Sequence, residues 1–158
     1  MTKPTADLCD EFPDLVQVAV PVLQSFGGAQ AFSGPIATVR ALEDNTLVRQ
    51  ELERVVEGAV LVVDGGGSLR CALVGDRLAA LAVEHGWHGV VVHGCVRDSE
   101  ALASIDLGVR ALHTCPQRSN KRGIGELDIP VSFAGLTFVP GHWLYADMDG
   151  LLVAPHAL

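Results

Sequence analysis

The strongest constraint on this chain lies in its middle third, where two unbroken apolar runs bracket an amphipathic segment. Ala59-Val60-Leu61-Val62-Val63-Asp64 and Gly89-Val90-Val91-Val92-His93 lack the in-and-out alternation of a half-exposed strand. Strands of this kind are covered on both faces, as in a parallel sheet. Between them, Gly65-Gly66-Gly67-Ser68 reads as a turn, and residues 76–85 read as a helix that Gly86 stops. Strand, helix, strand in this order predicts an α/β fold. A length of 158 residues, with 49% hydrophobic side chains, suits one domain over 1–158. A chain of this size buries roughly 70% of its unfolded surface, so a core forms without disulfides or structural metal.

Around this unit the pattern is coarser. Thr5 to Phe12 is amphipathic and is stopped by Pro13, and Val16 to Val20 and Ile36 to Arg40 read as strands. Asn45 is a candidate cap for a helix through about Glu57, with Leu47, Leu52, Val55 and Val56 as its apolar stripe. A short helix is expected near Ser99 to Ile105 and a strand near Val109 to Cys115, followed by a polar loop over Ser119 to Glu126. Val131-Ser132-Phe133, Thr137-Phe138-Val139 and Leu151-Leu152-Val153 are short strand-like pieces.

The charge sum is 11 basic residues against 19 acidic ones, a net of -8, and nine of the cations are arginines. An extended nucleic-acid footprint needs clustered positive charge, so this balance argues against one. It leaves room for a small anion held by one or two arginines. No apolar run approaches the roughly 20 residues that span a bilayer, and the amino-terminal residues lack a signal-peptide core. The expectation is a cytoplasmic protein that contacts no membrane. Cys9, Cys71, Cys95 and Cys115 have no C-x-x-C spacing and read as reduced, buried hydrophobes, with His93 beside Cys95 the one weak exception.

Two segments invite chemistry. The loop Asp64-Gly65-Gly66-Gly67 invites comparison with nucleotide or S-adenosylmethionine sites, but it lacks both G-x-G-x-x-G and the P-loop Lys, and a tight turn explains it equally well. Asp64 is a candidate brace for that loop. The second constellation is Gly75-Asp76-Arg77-Leu78 with Arg97-Asp98, in which twenty residues separate Asp76 from Arg97. A helix amino end near Asp76 suits a carboxylate, Arg97 adds a permanent cation, and Asp98 is a hard oxygen ligand for Mg²⁺ or Mn²⁺. On a straight strand adjacent side chains diverge, so Arg97 and Asp98 are expected on a turn beyond Gly94. The plain alternatives are Asp76 as a helix cap and Arg97-Asp98 as a surface pair worth under about 1 kcal/mol. His85, His88, His93 and His113 show no metal spacing, and Asp147-Met148-Asp149-Gly150 reads as a turn rather than a calcium loop.

The residues from Val62 to Arg70, Ala72 to Asp76 and Gly89 to Asp98, with flanks Phe26-Gly27-Gly28, Phe32 to Ile36, Glu43-Asp44-Asn45, Gly123 to Glu126 and Leu144 to Asp147, resemble the RraA-like family. That family includes regulators of ribonuclease E and class II 4-hydroxy-4-methyl-2-oxoglutarate aldolases that also decarboxylate oxaloacetate. The resemblance implies a single compact α/β domain with a swivelling β/β/α arrangement and a ring-shaped homotrimer with sites between subunits. Carried over position by position, it implies that Gly75, Asp76, Arg77 and Leu78 contact a small α-keto acid and that Arg97 binds it. Asp98 would hold a divalent metal, and Asp76 would hold metal-bound water. Ala101 stands where many of the aldolases carry an acidic residue, although Glu100 is adjacent, and the longer carboxyl-terminal segment of those enzymes is not seen before Leu158. Glu126 is a further candidate to line the pocket across a subunit interface. The implied activity is metal-dependent lysis through a pyruvate enolate, with oxaloacetate decarboxylation the less demanding reaction. The alternative is a non-catalytic regulator that binds ribonuclease E.

Overall fold

A computed structural model describes residues 2–158. The elements in chain order begin with α1 (Thr5–Glu11), β1 (Gln17–Val18), β2 (Gln24–Ser25), β3 (Phe32–Arg40), α2 (Thr46–Leu52) and β4 (Val60–Asp64). Then come β5 (Ala72–Val74), α3 (Asp76–Glu84), β6 (Gly89–Val96), α4 (Ser99–Leu102) and β7 (Gly108–Thr114). The last part is all strand: β8 (Glu126–Leu127), β9 (Val131–Phe133), β10 (Leu136–Phe138), β11 (Trp143–Asp147) and β12 (Gly150–Ala154).

The large sheet runs β1-β12-β11-β3-β4-β6-β7-β2, with β5 added to β6 and β8 to β3. Its centre, β3-β4-β6-β7, is parallel, and the flanks are antiparallel. The two apolar runs of the sequence, β4 and β6, are neighbours at this centre. Leu61, Val63, Val90 and Val92 point into a core shared with α2 and α3. Val60, Val62 and Val91 point the other way, into a core shared with the β9–β10 hairpin and the β11–β12 hairpin. The result is helices on one face, the sheet in the middle and β-hairpins on the other face. The absence of alternation in the sequence is thus explained by burial on both sides.

Close approach decides the composition of one spot in the second core. Gly89 and Gly108 are paired across β6 and β7, and a Cβ on either would lie within 2.4 Å of the Phe32 ring. Glycine is required because the ring lies directly on the backbone.

Two expected elements differ from what forms, and strands form that were not expected. The Val16–Val20 run forms strand pairs with β12 at Gln17 and Val18, the Ala19 N–H still donates to Leu151 of β12, and the Val20 N–H then donates to the hairpin carbonyl of Ala134 instead. The second helix ends at Leu52 rather than near Glu57. His85 and the Trp87 indole bond the Leu52 and Arg54 carbonyls, and the Val56 and Gly58 N–H groups donate to His85 and Gly86. Val55 is consequently 83% exposed, outside any apolar stripe. Its start also differs: Asn45 makes no capping bond, and the Asp44 carboxylate accepts from the Thr46 N–H and hydroxyl. The strands β5 and β11 carry no isolated sequence signal and form through pairing with β6 and with β3 and β12. Among the described residues no helix is long and apolar enough to cross a membrane.

Candidate functional site

Parallel β5 and β6 end side by side, and the chain leaves both at one edge of the sheet. From β5 it passes through Gly75 into α3, and from β6 it passes through Arg97 and Asp98 into α4. The strand β6 continues past His93 to Val96 through an irregularity between Val92 and Cys95, and Arg97 and Asp98 lie on the turn beyond it, as expected. The Arg97 N–H donates to the Val74 carbonyl at 3.0 Å and locks the two exits together. Asp98 then adopts φ 59°, ψ 41°. This left-handed conformation costs an ordinary residue about 1 kcal/mol and is tolerated best by Gly, Asn and Asp.

That backbone turn carries the Asp98 carboxylate onto the amino end of α3. Asp98 Oδ2 accepts the Asp76 N–H at 3.1 Å. A carboxylate fits there because the first N–H groups of a helix are unpaired and carry partial positive charge. Gly75, the residue at the N-cap position, has no side chain to do the capping, and a Cβ on it would sit 2.5 Å from Asp98 Oδ2. Asp76 is therefore the first residue of the helix and not its cap. The surface-pair reading of Arg97 and Asp98 also fails: Arg97 Nη1 donates to the Pro116 carbonyl at 3.3 Å, and the two side chains form no ion pair.

These residues line a cavity of about 680 Å³. Asp76 is partly exposed, Arg77, Arg97 and Asp98 are exposed, and Leu78 is turned into the helix-side core. Five of the chain's eleven cations, Arg49, Arg77, Arg97, Arg118 and Lys121, face this space against two carboxylates, Asp76 and Asp98. A net charge of -8 makes that concentration of positive charge local and specific. Such a cavity suits a small anion.

The far wall is the segment over residues 117–124, which has almost no regular structure yet is tied down. Buried Asp44, 2% exposed, accepts from the Thr46 N–H and hydroxyl with one oxygen and from the Arg122 and Ile124 N–H groups with the other. Burial alone would raise the Asp44 pKa, but these hydrogen bonds outweigh it and hold the carboxyl below its ordinary value. The Ala72 N–H donates to Gln117, and the Asn120 N–H donates to Glu43.

A family model described as "RraA-like: Aldolase/RraA" matches residues 5–153. The chain belongs to the RraA-like family. It is 58% identical to a protein of Alkalilimnicola ehrlichii over all of this chain and 98% of the relative, and 56% identical to one of Pseudomonas syringae pathovar tomato over 98% and 95%. Both carry the name "Putative 4-hydroxy-4-methyl-2-oxoglutarate aldolase". Among solved structures, the RNA-processing inhibitor RraA from Thermus superposes with a TM-score of 0.96 at 48% identity, covering 100% of this chain and 96% of that one. A Geobacillus kaustophilus protein titled an S-adenosylmethionine: 2-dimethylmenaquinone methyltransferase gives 0.97 at 52%, covering 99% and 97%. The RraA-like match establishes the α/β fold class expected from the sequence.

The remaining candidates of this RraA-like chain lie outside the cavity. The amides of the glycine loop are consumed internally: Gly66 donates to Asp64 Oδ1, Gly67 to His93 and Ser68 to Gly65. Asp64 is thus the brace of the loop, and no row of free N–H groups is presented to a phosphate or nucleotide. His93 stacks on Phe133 with ring centroids 4.7 Å apart, while Cys95 is fully buried and burial pushes its thiol pKa up. They form no activated pair. Glu126 faces Arg40 at 3.4 Å and lies outside the cavity of its own chain, which leaves its expected place across a subunit interface open. Asp147 closes the β11–β12 turn and accepts from Thr5, as a turn residue and not a calcium ligand. Asn45, Thr46, Arg49, Arg118, Ser119 and Lys121 are cavity residues that sequence reasoning did not single out. The first three look like the start of an ordinary amphipathic helix, and the last three belong to a loop whose only signal is its basic charge.

Proposed function

We propose that the chain is a divalent-metal-dependent carbon–carbon lyase that cleaves 4-hydroxy-4-methyl-2-oxoglutarate to two molecules of pyruvate and decarboxylates oxaloacetate. The observation that carries this reading is the convergence of Arg97, Asp98 and the amino end of α3 in a cationic cavity. The names of the curated relatives support it.

The donor set fits Mg²⁺ or Mn²⁺. Among the described residues no group of three or more His, Cys, Asp or Glu side chains could hold a metal ion, so the ion would depend on water and substrate for most of its ligands. Asp98 and Asp76 offer only hard carboxylate oxygens, and one carboxylate with waters and a chelating substrate suffices for Mg²⁺. Asp98 would hold the ion directly, with Asp76 in support through water. When bound, the ion supplies Lewis-acid polarisation of the α-keto group.

The chain's own residues perform the rest. Arg97 binds the keto-acid end and stabilises the negative charge that develops on the enolate oxygen. In the aldol cleavage the hydroxyl oxygen on C4 loses its proton, the O–H electron pair forms the new C4 carbonyl, and the C3–C4 bond breaks with its electron pair becoming the enolate. Asp76 is placed to take that proton through an intervening water. Protonation of the enolate at C3 gives one pyruvate, and the carbonyl fragment is the other. In oxaloacetate the C3–C4 bond breaks with loss of CO₂, no hydroxyl proton moves, and Asp76 is less demanded.

Arg97 and Asp98 are exposed, and Leu42 and Leu69, 59% and 58% exposed, line a neighbouring groove. These features support a homotrimer with its sites completed between subunits. The test of function is pyruvate release from oxaloacetate, which should require added Mg²⁺ or Mn²⁺ and be abolished by EDTA. A metal-independent or absent reaction overturns the reading. The name of the Thermus relative favours a second reading, binding and inhibition of a ribonuclease E-type partner. Inhibition of RNA cleavage by an Asp98→Asn variant devoid of lyase activity would support it.

A further inference from the structure

We propose that Arg118 is a specificity-determining residue that binds the second carboxylate of the substrate, making the cavity selective for dicarboxylate keto acids over monocarboxylate ones of the same length. The inference rests on the lyase reading of the same cavity and goes beyond it in assigning a subsite.

The cavity holds more positive charge than one keto-acid group uses. Of its five cations, Arg97 lies beside Asp98 and is oriented by the Pro116 carbonyl. Arg49 is paired with Glu53 at 3.1 Å, and Lys121 donates to Asn45 Oδ1 at 3.1 Å. Arg77, likewise without an ion pair or side-chain hydrogen bond among the described residues, rides on the first turn of α3 beside Asp76, on the keto-acid side of the cavity. Arg118 alone projects from the opposite wall with neither a carboxylate within ion-pair distance nor a side-chain hydrogen bond among the described residues.

Its backbone, by contrast, is fixed. Arg118 forms a parallel bridge with Ala72, the preceding Gln117 carbonyl accepts the Ala72 N–H at 2.8 Å, and Asp44 anchors the chain four and six residues further on. The next residue, Ser119, is 7% exposed and lines the same cavity, and its Oγ has no hydrogen-bond partner. A pinned loop that presents an unpaired guanidinium next to an unsatisfied hydroxyl is organised for an anionic group that comes from outside the chain. A guanidinium binds a carboxylate through two parallel N–H donors, which gives direction as well as charge.

Arg118 is exposed, so Arg118→Gln removes the charge without opening a core. The probes are 2-oxoglutarate and 2-oxopentanoate, which share one keto-acid end and differ by a terminal carboxylate against a methyl. Neither carries the hydroxyl needed for aldol cleavage, so affinity is read by calorimetry with Mg²⁺ present and without turnover. The native chain should bind 2-oxoglutarate about tenfold or more tightly, the worth of one charge-assisted contact. Arg118→Gln should abolish that preference and leave 2-oxopentanoate affinity unchanged, and Arg118→Lys should restore part of it. A preference that survives in Arg118→Gln overturns the assignment. So does a native chain that turns over oxaloacetate but binds the two acids equally, an outcome that leaves the lyase reading intact. A native chain that prefers 2-oxoglutarate through Arg118 but releases no pyruvate from oxaloacetate upholds the subsite and overturns the lyase reading.

Discussion

Gly75→Ala is the most economical perturbation of the site, because it adds one methyl group and removes neither a charge nor a reactive side chain. Gly75 has φ -131° and ψ -164°, an extended conformation that alanine also adopts, so the backbone gives no reason for a loss. The new Cβ would instead meet Asp98 Oδ2 at 2.5 Å and the Arg97 Cγ at 3.4 Å. The Asp98 carboxylate must swing away, which breaks its bond to the Asp76 N–H. A lost helix cap costs about 1 kcal/mol, which lowers Tm by about 2–4 °C in a domain of this size. Displacing the carboxylate proposed to hold the metal, and the adjoining Arg97, by about 1 Å should cost far more activity, on the order of a hundredfold. The assay pairs a thermal scan with lactate-dehydrogenase-coupled detection of pyruvate from oxaloacetate. A small drop in Tm with a collapse of turnover is the expected signature. A Gly75→Ala protein with the lowered Tm and near-native turnover would show that the Asp98 carboxylate caps a helix and takes no part in catalysis.

Asp98→Asn should keep both the left-handed turn and an acceptor for the Asp76 N–H, so Tm stays within about 2 °C while Mn²⁺ binding by calorimetry and lyase activity are lost. Arg97→Ala should abolish turnover and leave Mn²⁺ binding largely in place. Asp44→Ala should strand the N–H groups of Thr46, Arg122 and Ile124, cost about 3 kcal/mol and loosen the Arg118 wall, read as a lower denaturation midpoint. Asp44 and Asp147 both have folded pKa values held below the ordinary carboxylate value by hydrogen bonds that outweigh burial. Their stabilisation is therefore complete above the unfolded value of about 3.9 and disappears as pH falls through the lower folded values, so stability should be flat in these two groups from pH 7 to 5 and decline below about pH 4. In Asp44→Asn the acid decline should be shallower. Light scattering should give a multiple of three of the 16.7 kDa chain, and an active species at that single mass would refute the shared site.

The central sheet was legible because its signal is local. Consecutive valines in β4 and β6 can be covered only from both sides, and the fold places helices on one face and hairpins on the other. The helix ends were less legible, because their causes are distant. Leu52 ends α2 where His85 and Trp87, thirty-odd residues on, take its last carbonyls. The missed strand β11 has a polar and aromatic pattern that acquires meaning only between β3 and β12.

The site divides in the same way, and the division bears on how its residues should be tested. Gly75, Asp76, Arg97 and Asp98 stand out in the sequence as a glycine-acid turn and an arginine-acid pair at the ends of two apolar strands. Their roles were not legible, since the spacing suggested that Asp76 caps its own helix. The fold reverses that assignment: the cap comes from Asp98, reaching across from the neighbouring strand exit. The inversion matters for interpretation. Replacing Asp98 with alanine removes a cap and the proposed metal ligand together, so lost activity in that variant does not separate the two. Asp76, whose carboxylate makes no hydrogen bond within the chain among the described residues, has no comparable structural duty. Asp76→Asn should therefore leave Tm unchanged while slowing aldol cleavage more than oxaloacetate decarboxylation, because only the former must move a hydroxyl proton. Equal slowing of both reactions would place Asp76 in binding rather than in proton transfer.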